Sequence, residues 1–126
     1  MTDERPRFPR SVYGRGSDPD PRFSLANERT FLAWVRTGLA LLAGAAALDA
    51  LDLPLDDTVQ YLLAALLAAS GLVVGITAWL GWARSERAMR EGAPLPANPA
   101  MVVVMGAVVV VGLVLAVSSL TRGVGG

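Results

Sequence analysis

Three arginines, Arg22, Arg29 and Arg36, recur at seven-residue intervals, and the third lies within the apolar run from Phe31 to Leu48. On a helix each seven-residue step turns only about 20°, so the three guanidinium groups share one face over roughly 21 Å of rise. A charge at membrane depth costs about 2.5–3.5 kcal/mol on insertion scales, and its default reading is a functional one. Rings of arginine line pores for anions and phosphate. Further along the same face come Ala33, Ala40, Ala43 and Ala47, flanked by Gly44, while Phe31, Trp34, Val35 and Leu42 point the other way. One stripe is small and cationic, the other bulky and apolar.

Three readings of Arg36 stand side by side. It is about 7.5 Å of rise past Phe31, close enough for its stem to snorkel to the interface. It could instead pair with an acid or a helix-end carbonyl of a neighbour, Glu28 of another subunit being one candidate. In the third reading Arg22, Arg29 and Arg36 line an aqueous anion path. Helices packed at about 8–10 Å leave no hole between three of them. Such a path therefore requires a cyclic homo-oligomer with the first span of each copy innermost. Glu28, Arg84 and Arg87 are the candidates for pairing or gating along it.

The elements that must hold this stripe are membrane helices. The chain has 126 residues, 53% of them hydrophobic, with formal net charge zero and mean hydropathy +0.48. Thr58–Ala83 and Gly92–Thr121 carry no charge, and each exceeds the roughly 20 residues needed to cross about 30 Å of hydrocarbon. With the Phe31–Leu48 run they give an all-α membrane protein of three transmembrane helices, with spans about 29–50, 58–83 and 99–120 in a domain over 21–121. Residues 1–20 read as a flexible cytoplasmic arm and 122–126 as a short external tail. Asp20 followed by Pro21 signals a helix start, with Ser24 or Asn27 as later caps. The second helix is expected to continue past Trp82 through "ARSERAMREGAP" until Gly92 and Pro94 stop it. Trp79, Trp82 and Tyr61 sit where interfacial anchors belong. The third span, rich in valine, reads as mainly lipid-facing.

Nothing in the first 30 residues resembles a cleavable signal core, so the first span is expected to act as an uncleaved anchor. Arginines before span one and in the loop after span two, against four aspartates (Asp49, Asp52, Asp56, Asp57) between spans one and two, place the N-terminus in the cytoplasm. Those aspartates fit no EF-hand spacing; they solubilise the outer loop, and at the mouth of an anion path they would oppose exit. Ala64, Ala68, Gly71, Gly75 and Ala78 form a small-residue seam in span two, with Gly71 and Gly75 as a GxxxG pair for helix packing or self-association. The chain has no cysteine and no histidine, no nucleophile–base pair and no metal-ligand cluster, so neither an enzyme nor a bound cofactor is expected. The lipid bilayer is the expected partner, and nucleic acid is not.

The stretch "RFSLANERTFLAWVRTGLAL", followed by two hydrophobic spans and a basic "WARSERAMR" loop, resembles the YidH-like small bacterial inner-membrane domain. It is also similar to the small membrane subunit of the eukaryotic vacuolar transporter chaperone complex. The resemblance covers roughly residues 21–120, with its specificity in "ANERTFLAW". It implies three-helix subunits in a ring, with basic side chains of the first helix on a polyphosphate path. Arg22 then matches a basic pore residue, Glu28 and Arg29 match the Glu-Arg of the motif, and Arg36 fits the bacterial "AWVRTGLAL" pattern. The chain has no room for the polymerase or phosphate-sensing domains of that complex. The functional expectation is a homo-oligomeric channel or transport subunit for an anion such as phosphate or polyphosphate. The alternative is a non-conducting scaffold that assembles with other membrane proteins.

Overall fold

The structure is a computed structural model describing residues 7–96 and 99–125. Its helices are α1 (Arg10–Tyr13), α2 (Pro21–Ala50), α3 (Asp57–Glu91) and α4 (Ala100–Gly125). The last three are each long and apolar enough to cross a membrane.

Local chemistry sets the boundaries. The Asp20 carboxylate accepts from the Arg22 amide at 2.9 Å and Pro21 occupies the first turn, satisfying one orphan donor and presetting the backbone. Asp56 does the same for α3 through the Thr58 amide at 2.9 Å, with Asp57 in the first turn, where a negative charge suits the helix dipole. One of the four aspartates between the first two long helices is thus a cap rather than a solubilising charge alone. Gly92, at φ 68°, closes α3 in the left-handed conformation, and the Ala93 amide donates back to the Ala88 carbonyl at 2.8 Å. Glycine is favoured there because a Cβ strains that backbone region.

At 30 and 35 residues, α2 and α3 are about 45 and 52 Å long, well beyond a hydrocarbon core of about 30 Å. They pair antiparallel, so the surplus at the start of α2 and the end of α3 forms a joint head beyond the apolar spans. The α2 side of the seam is Ser24, Asn27, Phe31, Trp34, Gly38, Leu41, Ala45 and Leu48, all buried or half-buried and spaced alternately three and four apart. That is the repeat that keeps one helix face against a partner. Near mid-span the two backbones nearly touch. A Cβ on Gly71 would meet the Gly38 carbonyl oxygen at 3.0 Å and Leu42 Cγ at 2.9 Å. At the far end Gln60 Nε2 donates to the Leu51 carbonyl at 2.8 Å and also to that of Leu48, beside a core of Leu48, Leu63 and Ala64.

α4 packs against α3; its least exposed apolar residues are Ala100, Val103, Val104, Ala107, Val111 and Val114, and Val111 and Val114 pack on the Leu48–Leu63–Ala64 core. Val102, Val108, Val109, Val110, Leu113, Leu115, Val117 and Leu120 face outward, which suits a helix whose solvent is lipid. Among the described residues the α2 and α4 backbones do not approach one another. The three long helices therefore form an open layer with α3 in the middle.

Gly71 and Gly75 differ sharply in surroundings, since a Cβ on Gly75 would meet no heavy atom within 4 Å. Gly71→Leu is expected to lower the stability of the monomer in detergent by about 1–3 kcal/mol through overpacking. Gly75→Ala is expected to be neutral or stabilising, since it removes a helix penalty of up to about 1 kcal/mol. Reversible unfolding followed by helical circular dichroism checks both.

Candidate functional site

One cluster of interacting polar residues lies in the head, where the N-terminal segment, the start of α2 and the end of α3 meet. Glu86, only 3% exposed, projects from α3 toward α2. Its carboxylate accepts from Ser24 Oγ at 3.1 Å and from Asn27 Nδ2 at 3.2 Å, and Asn27 Nδ2 also donates to the Trp82 carbonyl at 3.1 Å. A carboxylate buried without partners would be costly; here both partners come from the other helix, so the cluster fixes the α2–α3 register in the head. Ser24 and Asn27, expected as caps, are instead clamp residues, because the Asp20 cap already starts the helix. Below the clamp Phe31, Trp79 and Trp82 pack ring against ring at centroid distances of 5.3 to 6.4 Å.

The segment before α2 lies against α3. Arg90, 8% exposed, donates from Nε to the Arg15 carbonyl at 2.7 Å, from one terminal nitrogen to the Tyr13 carbonyl at 2.9 Å, and from the other to the Asp18 carboxylate. Arg87 Nε donates to the Ser11 carbonyl at 2.9 Å. Tyr13 stacks edge-on against Trp82 at 6.2 Å, and Arg7 lies over the Tyr13 ring at 4.4 Å. Gly16, at φ 55°, brings its backbone so near the Arg90 carbonyl that a Cβ there would collide with it, and the Ser17 amide donates to that carbonyl at 3.1 Å. Within the stretch expected as a flexible arm, Ser11, Tyr13, Arg15, Ser17 and Asp18 contact α3. The physical reason is the planar fork of Arg90, which satisfies two carbonyls and a carboxylate at once. Residues 1–6 of that expected arm lie outside the described residues, as does Gly126 of the expected tail.

The arginine stripe is placed differently. Arg22, Arg29 and Arg36 occupy the α2 face opposite the seam and all are exposed, as are Ala33, Ala40, Ala43 and Ala47. Arg22 is held by Asp20 at 2.9 Å. Among the described residues Arg29, Arg36, Glu28 and Arg84 make no side-chain hydrogen bond or ion pair. The structure therefore does not bring Glu28 to the arginines within one chain. Nor does it group Arg84 with Arg87, since Arg87 is engaged by the N-terminal segment. No group of three or more potential metal ligands occurs among the described residues.

Reading from sequence missed Glu86, Asn27 and Arg90 as organising residues. The available signal was the three-four repeat from Ser24 to Leu48, which places Ser24 and Asn27 on the buried face, where polar side chains require a partner.

Three apolar helices capped by a polar head of arginine, glutamate and asparagine define a small multi-pass integral membrane protein. The chain belongs to the family described as Domain of unknown function (DUF202), which matches residues 22–88, that is, most of α2 and α3 with the head clamp. It is 42% identical over 106 residues to inner membrane protein YidH of Escherichia coli K12, covering 79% of this chain and 92% of that one. An uncharacterized protein of Mycobacterium tuberculosis H37Rv is 46% identical over 84 residues, covering 65% of this chain and 68% of that one. No solved structure matches significantly. The chain is an inner-membrane protein.

Hydrogen bonds from Arg90 and then Arg7 hold the Asp18 carboxyl below its ordinary value of 3.8. A depressed value means that the contact is fully formed above the ordinary carboxylate range and fails as pH falls through the lowered one. Protection from trypsin after Arg15, taken relative to an unstructured reference peptide at the same pH, is accordingly expected to be unchanged between neutral and mildly acidic pH. In Arg90→Ala cleavage should rise about tenfold or more, given about 1.5–3 kcal/mol for hydrogen bonds to a charged group. Arg90→Lys should restore only part of the protection, because an ammonium lacks the fork.

Proposed function

We propose that the protein is a homo-oligomeric anion channel or transport subunit, with its N-terminus in the cytoplasm and α2 of each copy nearest a cyclic axis. The observation that carries this reading is the exposed line of Arg22, Arg29 and Arg36 on the α2 face turned away from α3, with Arg29 and Arg36 free of acid partners among the described residues. Left against acyl chains, Arg36 would cost about 2.5–3.5 kcal/mol. Facing an axis, the arginines form rings that water and anions stabilise. The exposed alanines of the same face allow helices of neighbouring copies to approach closely. Because the three helices form an open layer, a single chain encloses no path, so conduction rests on assembly.

Phosphate or polyphosphate is the anion class suggested by the likeness in "ANERTFLAW". Arg22 stands at the cytoplasmic entrance, partly neutralised by Asp20, and Arg29 and Arg36 lie successively deeper. The outer aspartates oppose exit of a polyanion and favour a small anion.

Purified protein in vesicles, with its oligomeric mass verified, is expected to pass phosphate. Arg29→Ala and Arg36→Ala should each reduce the flux by about tenfold, the effect of roughly 1.4 kcal/mol on an anion at the ring, while Arg10→Ala leaves it unchanged. An intact oligomer without flux would favour a scaffold that assembles with other membrane proteins.

A further inference from the structure

On the flank of α2 away from its exposed Glu28, a groove of about 720 Å³ opens between α2, α3 and the start of α4. Among the described residues the α4 backbone approaches α3 and not α2, which leaves a wedge floored by α3. Along α3 its lining runs from Thr77 to Met89, about 18 Å of rise, so it begins in the uncharged span and ends in the head. Phe31 and Trp34 of α2 and Thr77 of α3 line the part farther from the head, Met101 lines the groove from the start of α4, and Arg84 and Ser85 lie toward the head. Arg84 is the one ionisable side chain among the described lining residues. It is exposed and makes no hydrogen bond or ion pair among the described residues. Glu86, two residues on, is engaged by Ser24 and Asn27 and does not neutralise it.

A site that is apolar at membrane depth and carries one uncompensated cation at headgroup depth matches a single class of molecule already present in the surrounding solvent. We propose that this groove holds one anionic phospholipid, its phosphate on Arg84 and its acyl chains along Phe31, Trp34 and Met101. The volume falls within the range of about 300–1,000 Å³ usual for ligand sites. Phosphate on a guanidinium at the membrane surface is favoured by the same attraction that draws basic residues to anionic leaflets. The methionines and the aromatic rings give a wall that adapts to flexible chains. The site does not depend on the arginine stripe, which lies on another face of α2.

The groove is bordered by Trp34 and Trp82, so lipids with brominated acyl chains report occupancy by quenching tryptophan emission. The full chain is reconstituted in phosphatidylcholine vesicles containing graded amounts of brominated phosphatidylglycerol or, in parallel, brominated phosphatidylcholine. Half-maximal quenching by the anionic lipid is expected at about fivefold lower mole fraction, as one surface arginine contributes. Arg84→Ala should bring the two curves together and Arg84→Lys should keep them apart. Ala26→Phe, which fills the groove from the exposed side of α2, should weaken quenching by both lipids; unbrominated vesicles and helical circular dichroism serve as the folding control. Coincident curves for the unmodified protein would overturn the proposal. So would a preference that survives Arg84→Ala or Ala26→Phe, as would a groove filled by a second copy, seen as loss of oligomer in Ala26→Phe without any lipid preference.

Discussion

The near-contact of α2 and α3 at Gly38 and Gly71 is the constraint from which the remaining geometry follows. With the Gly71 position only 3.0 Å from the Gly38 carbonyl oxygen even for a bare Cβ, the two helices are locked in rotation about their own axes. Once Gly38 faces α3, the three-four repeat carries Phe31, Trp34, Leu41 and Ala45 inward with it. Arg22, Arg29 and Arg36, offset by two residues from Ser24, Phe31 and Gly38, must then point the opposite way. In lipid, where burial of apolar surface does not drive helices together, close backbone approach and interhelical hydrogen bonds set such a pairing. Both are present: the glycines at mid-span, Glu86 with Ser24 and Asn27 in the head, and Gln60 on the carbonyls of Leu48 and Leu51 at the far end.

The head extends the same logic beyond the bilayer. Glu86 joins the two long helices, and one turn further along α3 Arg90 joins them to the preceding segment. Each buried charge is compensated by partners from a different part of the chain. Removing one partner therefore leaves a desolvated group rather than a lost surface contact, which is the costly case. By contrast Arg29, Arg36 and Arg84 carry their charges on open surfaces, where only an environment outside the chain can answer them.

Much of this architecture is legible in the residues themselves. Three uncharged or nearly uncharged stretches give the helices, Asp20–Pro21 and Gly92 mark ends that the backbone respects, and the seven-residue arginine spacing alone puts three charges on one face. The pairing partners are not legible, because they depend on contacts between residues far apart in sequence. Ser24 and Asn27 look like helix caps until Glu86, some sixty positions later, is brought beside them by the hairpin. Arg90 reads as one of three basic residues in a turn, yet it alone is buried, since only its position on α3 meets the carbonyls of Tyr13 and Arg15. Gly71 and Gly75 form one motif on paper, but a single turn of helix separates a position under contact from an open one.

An anion path requires that the outward face of α2 meet water and neighbouring copies, and the chain's lack of cysteine makes a direct measurement of that meeting clean. Ala40→Cys, on the arginine face and one turn deeper than Arg36, can be exposed in intact membranes to a charged, membrane-impermeant thiol reagent and to an oxidant. The account predicts modification by the reagent and disulfide-linked pairs of chains. A thiol that neither reacts nor cross-links, while a cysteine placed in the head does react, would mean that this face lies in lipid or is sealed dry, and would contradict it.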